Sequence, residues 1–257
     1  IVEAHDQAVD DGLAYLDANA RHARAGRGGV RRVDTDGFVV AKFRHRTARQ
    51  TTRDRVGDPQ LHTHCAILNR VRCSDGKWRT LDGQAIYAHA HAAGALYGSR
   101  LEQLLTERLG VAWTMPGAGE RVLMREIAGV PEAVRRRFSS RTDQVTQLAD
   151  ALLAEWRAEH GCEPSRRERQ AILERATLRS RLSKTADGVG TDLHARWRAQ
   201  VSDAEHAAVL SALDPAVASS GGRLPAGDAL AGEVLDALVG QRAWWTRTHI
   251  YAEVARR

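Results

Sequence analysis

The sequence predicts an α+β fold, in which helices flank an antiparallel sheet and the C-terminal half is largely helical. Residues 30–81 contain short segments of alternating apolar and polar residues, separated by turn residues, as in antiparallel strands. Residues 85–109 keep apolar positions at helical spacing, and residues 131–200 are almost wholly helical in pattern. These three observations define the class.

The N-terminal residues predict one helix followed by a hairpin. A helix is expected from Val2 to Arg24, and the glycine-rich residues 26–29 end it. Residues 30–33 and 37–45 have the composition of two strands, and residues 34–37 have the composition of the turn that joins them. We therefore expect a hairpin here.

The next segments predict the remaining strands. Residues 46–57 are polar and basic and are expected to form a loop, and residues 62–71 form the next strand. Residues 74–77 supply a turn before a short strand at 78–81. Together these segments complete the predicted sheet.

Beyond the sheet the pattern becomes helical. A long helix is expected over residues 85–109, and short strands over 111–114 and 122–127. Ser165 and Glu168 form a capping-box pattern for a helix that extends to Leu182. We expect a linker over residues 201–228, since its second half is rich in Pro, Gly and small residues.

The composition favours an acidic partner. The chain has 257 residues, a formal net charge of +6 and a pI of about 9.7. Lys42, Lys77 and Lys184 are its only lysines, so the positive charge comes mostly from arginine. Guanidinium groups suit phosphate, which points to nucleic acid, although high-GC coding also enriches a protein in arginine.

The cysteines and the hydropathy indicate a cytoplasmic protein. Cys65, Cys73 and Cys162 are an odd and widely spaced set, which does not resemble a disulfide framework. No apolar run approaches the roughly 20 residues of a membrane span, and no signal peptide is recognisable. We therefore expect no membrane insertion. The sequence also lacks an initiator methionine.

Three histidines form a candidate metal site. His62 and His64 lie two apart on a predicted strand, so both imidazoles project from one face. When the loop folds back, His45 comes to lie beside His62 across the ladder. Three neutral imidazoles bind one divalent cation and leave positions open for a substrate oxygen. In a basic protein this arrangement points to metal-assisted chemistry on phosphate.

Other interpretations of these histidines stay open. Each could be an ordinary surface or half-buried histidine, and paired histidines also occur in other metal hydrolases and in cupin-like oxygenases. Zn, Mn, Ni and Co all accept imidazole, and Mg is possible although it prefers oxygen, so the metal is not distinguishable. His89 and His91 point about 200° apart on a helix and cannot chelate together. His160 fits a helix C-terminus better than a metal site.

A series of motifs extends over roughly the first 200 residues. The most specific is DPQLHTH at residues 58–64; the others are AHDQAV (4–9), GFVVAKFRHRTAR (37–49), Asn69, DGKWRTL (75–81), EIAGVP (126–131), FSSR (138–141) and the spacing from Lys184 to Trp197. Together they resemble the MobF-type conjugative relaxases, the TrwC/TraI group. The resemblance implies a histidine–hydrophobe–histidine (HUH) endonuclease.

The resemblance also implies a mechanism and partners. In this family three histidines hold a divalent ion that polarises the scissile phosphate of single-stranded DNA at a transfer origin. A tyrosine then attacks the phosphorus, and the phosphotyrosyl intermediate conserves the bond energy for rejoining. His45, His62 and His64 match the metal ligands, and Arg44, Arg46 and Arg49 are candidate DNA contacts. Proteins of the conjugation machinery are the expected partners.

Two departures from the family pattern stand out. The loop between His45 and His62 is longer than in the best-known members, and residues 50–56 resemble an insertion. The family's nucleophilic tyrosines lie before the helix with which this chain begins, so none of the four tyrosines here, Tyr15, Tyr87, Tyr97 and Tyr251, matches them. We therefore assign no catalytic residue and expect an N-terminally truncated fragment that does not nick DNA alone.

The expected domain organisation follows from the same resemblance. Residues 1–200 form a partial relaxase domain, with metal-site strands over 30–81, and the linker of 201–228 follows it. Residues 229–257 are expected to begin a helicase-like module, because Trp244 to Tyr251 resembles its start. The alternatives are a non-catalytic DNA-binding remnant of a relaxase and an unrelated metalloenzyme. Chelator-insensitive binding would favour the former, and a carboxylate ligand beside the histidines would favour the latter.

Overall fold

The structure is a computed structural model that describes residues 1–54, 56–114, 125–182, 192–213, 227–241 and 246–254. It confirms the predicted mixed α+β class with small antiparallel sheets. The chain forms two compact units, the first comprising Ile1–Arg44, Thr63–Ala128 and Ser211–Arg257, and the second comprising His45–His62 and Gly129–Leu210. Strands β3 (Val40–Thr47) and β4 (Pro59–Ile67) contribute residues to both units.

The remaining elements belong to one unit or the other. The first unit contains α1 (Val2–Ala20), β1 (His22–Ala25), β2 (Arg31–Asp34), β5 (Arg70–Arg72), β6 (Trp78–Thr80), α2 (Gly83–Leu109), α8 (Gly227–Gln241) and α9 (Arg247–Val254). The second unit contains α3 (Glu132–Arg137), α4 (Ser140–His160), α5 (Arg166–Arg179), α6 (Leu193–Arg198) and α7 (Asp203–Ser211) apart from its last residue.

The hairpin predicted between residues 30–33 and 37–45 is wrong. Strand β2 pairs with β1 in an antiparallel register that sets Ala23 opposite Val33, and β3 pairs with β4 instead. The helix α1 ends at Ala20, four residues before the predicted Arg24, because Ala23 is fully buried in the sheet core. The glycines at 26, 28 and 29 adopt positive φ between β1 and β2, so they form this turn rather than the end of a helix.

Other boundaries changed less. The strand predicted over 62–71 is divided into β4 and β5, and α2 confirms the long helix. The capping box of Ser165 and Glu168 is present, although α5 ends at Arg179 rather than at Leu182. Trp113 and Ile127 form a single bridge where two short strands were predicted, and residues 115–124 between them lie outside the described residues. Most of the predicted linker, residues 214–226, also lies outside them, whereas its first part contains α7.

Each unit has its own apolar core. In the first unit, Leu104 and Leu105 of α2 pack with Ala4 of α1 and with Val111. Ala252 of α9 packs with small residues of α2. In the second unit, α4 packs against α5 through Ala149, Leu152, Leu153, Ile172 and Ala176. Burying a leucine side chain contributes roughly 1.5 to 3 kcal/mol, so these helix pairs hold each unit together.

No helix within the described ranges is long and apolar enough to cross a bilayer.

Candidate metal centre

The strands β3 and β4 bring the three predicted histidines together. Hydrogen bonds from Ala48 N to Asp58 O (2.8 Å) and from Leu68 N to Val39 O (2.9 Å) close the two ends of an antiparallel ladder. The rings of His45 and His62 have centroids 5.2 Å apart. One ligand nitrogen from each of His45, His62 and His64 lies within 4.8 Å of the other two. The predicted juxtaposition is therefore present.

The donor set fits a divalent metal ion. Metal–imidazole bonds are about 2.0 to 2.1 Å long, so nitrogens up to about 4.2 Å apart can share one ion. His45 and His64 are exposed and His62 is half-buried, so small ring rotations bring the three nitrogens into this range. Three imidazoles suit borderline cations and leave coordination positions open for an oxygen ligand.

One histidine already has an orienting partner. His62 Nδ1 lies 3.1 Å from the carbonyl oxygen of Gln60. A carbonyl only accepts, so this contact requires the proton on Nδ1 and leaves the lone pair of Nε2 for an external ligand. Outer hydrogen bonds of this kind fix the tautomer of metal-binding histidines.

The triad has only nitrogen ligands. Within the described residues no carboxylate or thiol belongs to this group. Cys65 follows His64 directly, but alternation along the strand directs its side chain to the opposite face. Burial raises the pKa of its thiol, which keeps it protonated. The carboxylate ligand that would have indicated an unrelated metalloenzyme is not among these residues.

Helix α1 contacts the face of β3 opposite to His45. Asp10 Oδ1 accepts from Lys42 Nζ at 2.5 Å, Asp6 pairs with Arg44, and Asp17 Oδ1 accepts from the backbone N–H of Phe38 at 2.7 Å. The hydrogen bond to Asp10 raises the pKa of Lys42. Because side chains alternate along a strand, those of Lys42 and Arg44 lie on the face opposite His45. These contacts therefore direct His45 away from α1.

The loop between the strands packs within the second unit, to which it belongs. Thr51 is only 1% exposed, and its hydroxyl accepts from the backbone N–H of Asp54 at 3.0 Å. Arg196 donates to Asp54 at 2.9 Å, and the Trp197 indole donates to the carbonyl of Gly57 at 3.1 Å. The segment predicted as an insertion therefore packs against α6, apart from residue 55, which lies outside the described residues.

Two of the motifs contact each other. The carboxylate of Asp58, 5% exposed, accepts hydrogen bonds from Ser140 N at 2.8 Å and from Ser140 Oγ at 2.7 Å. Ser140 is the first residue of α4, and the N-cap residue Ser139 makes no side-chain capping bond. Asp58 therefore satisfies N-terminal donors of α4 and fixes the chain four residues before His62.

Replacing Asp58 with alanine is expected to destabilise the protein by about 2 to 3 kcal/mol, because it leaves the buried N–H of Ser140 without this acceptor and the Ser140 hydroxyl with only the 3.5 Å contact to Thr51 Oγ1. Asp58→Asn keeps one acceptor oxygen and should cost less than half as much. Urea unfolding followed by circular dichroism measures both. Equal losses for the two variants, or no loss for Asp58→Ala, would contradict the capping role.

The three predicted DNA-contacting arginines differ in their surroundings. All three are exposed, and Arg44 pairs with Asp6. Arg49 belongs to a basic group of the second unit, because its charge and that of Arg181 add to burial in lowering the pKa of Arg141.

The other histidines make local contacts. His89 Nδ1 lies 3.1 Å from the hydroxyl of Tyr15. His160 Nδ1 lies 2.9 Å from the carbonyl of Trp156 in the last turn of α4, in agreement with the predicted helix-end role. Sequence reasoning missed the roles of Asp58 and of a buried histidine, His5, which contacts Thr63 between two of the triad histidines. The only signals were their positions inside two of the motifs, DPQLHTH for Asp58 and AHDQAV for His5.

Comparison with known proteins gives a consistent match. The family model for the TrwC relaxase matches residues 1–204. The multifunctional conjugation protein TraI of Escherichia coli K12 is 29% identical over 223 residues, which cover 75% of this chain and 12% of TraI. The chain therefore spans only a small part of that relative.

Solved structures of the conjugative relaxase TrwC are also similar. A complex with a 27-mer DNA comprising the recognition hairpin and the cleavage site has 34% sequence identity and a TM-score of 0.56. It matches 77% of this chain and 63% of the TrwC chain. A metal-bound complex with transfer-origin (OriT) DNA has 32% identity and a TM-score of 0.56, and matches 82% of this chain and 63% of TrwC.

Proposed function

The chain belongs to the TrwC relaxase family, and on this premise we propose that it binds a divalent metal ion through His45, His62 and His64 and places it on the phosphate backbone of single-stranded DNA at a transfer origin. The convergence of three imidazole nitrogens within 4.8 Å carries this proposal. TrwC structures with bound DNA, and one with bound metal, support it.

The chemistry divides between the metal and the protein. When bound, the ion supplies a Lewis acid that withdraws charge from a phosphate oxygen. The three imidazoles bring one nitrogen each within 4.8 Å of the others, and the hydrogen bond to Gln60 keeps His62 in the required tautomer. Arg46 and Arg49 are proposed to bind neighbouring phosphates, while Arg44 would have to share its guanidinium with Asp6.

Strand cleavage and rejoining are proposed as the activity of the whole relaxase. We propose that none of the four tyrosines of this chain attacks the phosphate. Tyr97 bonds to His5, Tyr15 bonds to His89 and packs against Tyr251, and Tyr87 is an exposed residue of α2. Conjugation proteins are proposed as partners. The three free cysteines support a cytoplasmic location.

The test is binding of a fluorescent single-stranded oligonucleotide of transfer-origin type, with and without a chelator. We expect the chelator to weaken binding to the wild-type chain and to leave His62→Ala unaffected. We also expect Arg49→Ala to reduce the slope of log K against log salt by about 0.7, as for one lost phosphate contact on a single strand. A matched control is Arg27→Ala, an exposed arginine in the turn between β1 and β2.

These binding measurements distinguish the proposed function from its alternatives. Binding that ignores both the chelator and His62→Ala would contradict the metal role and favour the DNA-binding remnant. Absence of any salt-dependent binding would contradict the DNA role. A covalent oligonucleotide adduct mapped to a tyrosine of this chain would contradict the assignment of its tyrosines to packing.

A further inference from the structure

His5 is a buried histidine that the proposed metal chemistry does not use. It lies in the first turns of α1 and is 2% exposed. Its Nδ1 lies 2.9 Å from the hydroxyl of Tyr97 on α2, and its Nε2 lies 2.8 Å from the hydroxyl of Thr63 on β4. A neutral imidazole offers one donor and one acceptor, so two hydroxyl partners satisfy both ring nitrogens.

Thr63 connects this buried group to the candidate metal centre. It stands between His62 and His64, and strand alternation directs its side chain to the face opposite theirs. A fixed Thr63 hydroxyl therefore fixes the orientation of the strand at the position where both neighbouring imidazoles must project in parallel. A small rotation of the backbone here would turn both imidazoles together.

His5 acts directly on β4, on the face opposite the triad. The strands β3 and β4 form a two-stranded sheet, and such pairs are only marginally stable without packing on one face. The α1 contacts with Lys42, Arg44 and Phe38 all act on β3 or on the residues before it. The hydrogen bond between His5 and Thr63 links α1 to β4.

Tyr97 on α2 restrains the His5 ring. Its ring meets the His5 ring edge-on, with centroids 5.7 Å apart at an angle of 85°. Burial raises the pKa of Tyr97, so its hydroxyl remains protonated and able to donate. The imidazole is thus held from α2 on one side and holds β4 on the other.

We propose that His5 is a positioning residue for the metal centre, which acts through Thr63 to set the directions of His62 and His64. This inference rests on the proposed metal binding by the triad. It predicts that loss of the His5–Thr63 hydrogen bond weakens metal binding although neither residue is a ligand. Removal of an outer partner of a metal ligand typically lowers metal affinity by about 10- to 100-fold. Because His5 acts on the ligands only through Thr63, we expect a loss of about 10-fold.

The test is titration of the full chain with cobalt(II), followed by its visible absorption, which reports both affinity and ligand geometry. Thr63→Val keeps the β-branched shape but removes the hydroxyl, so we expect about 10-fold weaker binding and an altered spectrum. Thr63→Ser keeps the hydroxyl and should restore both. His5→Ala should resemble Thr63→Val, and the double variant should bind no more weakly than the weaker single variant.

The matched control is His89→Ala, which removes another hydrogen bond between a histidine and a tyrosine that joins α1 to α2. It should lower the thermal midpoint as His5→Ala does, while cobalt affinity and spectrum stay unchanged. Wild-type affinity and spectrum in Thr63→Val would overturn the proposal, and so would additive effects in the double variant. Absence of cobalt binding by the wild-type chain would instead contradict the proposed function itself.

Discussion

Replacing His62 with alanine is expected to lower the affinity of the chain for a divalent metal ion by more than about 100-fold. Loss of an outer partner of a ligand costs about 10- to 100-fold, and loss of the ligand itself exceeds that range. His62 is the central member of the triad, because it faces His45 across the ladder and lies two residues from His64. Isothermal titration with zinc, manganese or cobalt measures the loss.

The chain contains a control for this experiment. His91 is an exposed histidine two residues after His89, as His64 is two residues after His62, but it lies on the helix α2. His91→Ala should therefore leave the metal affinity unchanged, because helical spacing separates the two rings. Equal metal binding by His62→Ala and the wild-type chain would refute the proposed centre. A loss in both variants would show that binding is non-specific.

Comparison among the three histidines tests the geometry as well. His62 and His64 share one strand, so their relation depends only on local alternation. His45 joins them only when β3 and β4 pair in the observed register. We therefore expect His45→Ala to cost as much affinity as His64→Ala, and urea that melts the ladder should release the metal in the same transition.

The candidate site could be predicted because its determinants are local. Alternation put His62 and His64 on one face, and antiparallel pairing of β3 with β4 brought His45 beside them. The hairpin of residues 30–45 was predicted incorrectly because both of its segments have strand composition, and composition does not specify a partner. The choice of β1 for β2 follows from burial of Ala23 with Val71, Cys73 and Leu81, which are distant in sequence.

The residues that hold the metal-site strands in place could not be predicted either, because their partners are also distant in sequence. Asp58 reaches Ser140 over 82 residues, and His5 reaches Thr63 over 58 residues. No periodicity in the sequence encodes either contact, since both depend on how separate elements pack. The family motifs still contain all four of these residues, because His5 lies in AHDQAV, Asp58 and Thr63 lie in DPQLHTH and Ser140 lies in FSSR.

We expect Gly57→Ala to destabilise the protein more than a methyl group added at any other position of the loop. Gly57 has φ +94°, and a Cβ there would lie 2.4 Å from the carbonyl oxygen of Ala48. Left-handed backbone costs a residue with a Cβ about 1 to 2 kcal/mol, and the contact with a backbone atom cannot be relieved by a side-chain rotation. We therefore expect at least about 3 kcal/mol of destabilisation.

The variant Gly76→Ala separates the cost of the left-handed backbone from the cost of the contact with Ala48. Gly76 has φ +78°, but a Cβ there would meet nothing within 4 Å, so this variant should lose only about 1 to 2 kcal/mol. Urea unfolding of both variants gives the difference, which measures the clash with Ala48. Because Gly57 also accepts from Trp197 and precedes Asp58, displacement of this residue should loosen the attachment of the loop to α6 and α4. Gly57→Ala should then bind metal more weakly than Gly76→Ala, and equal stability of the two variants would contradict the close approach.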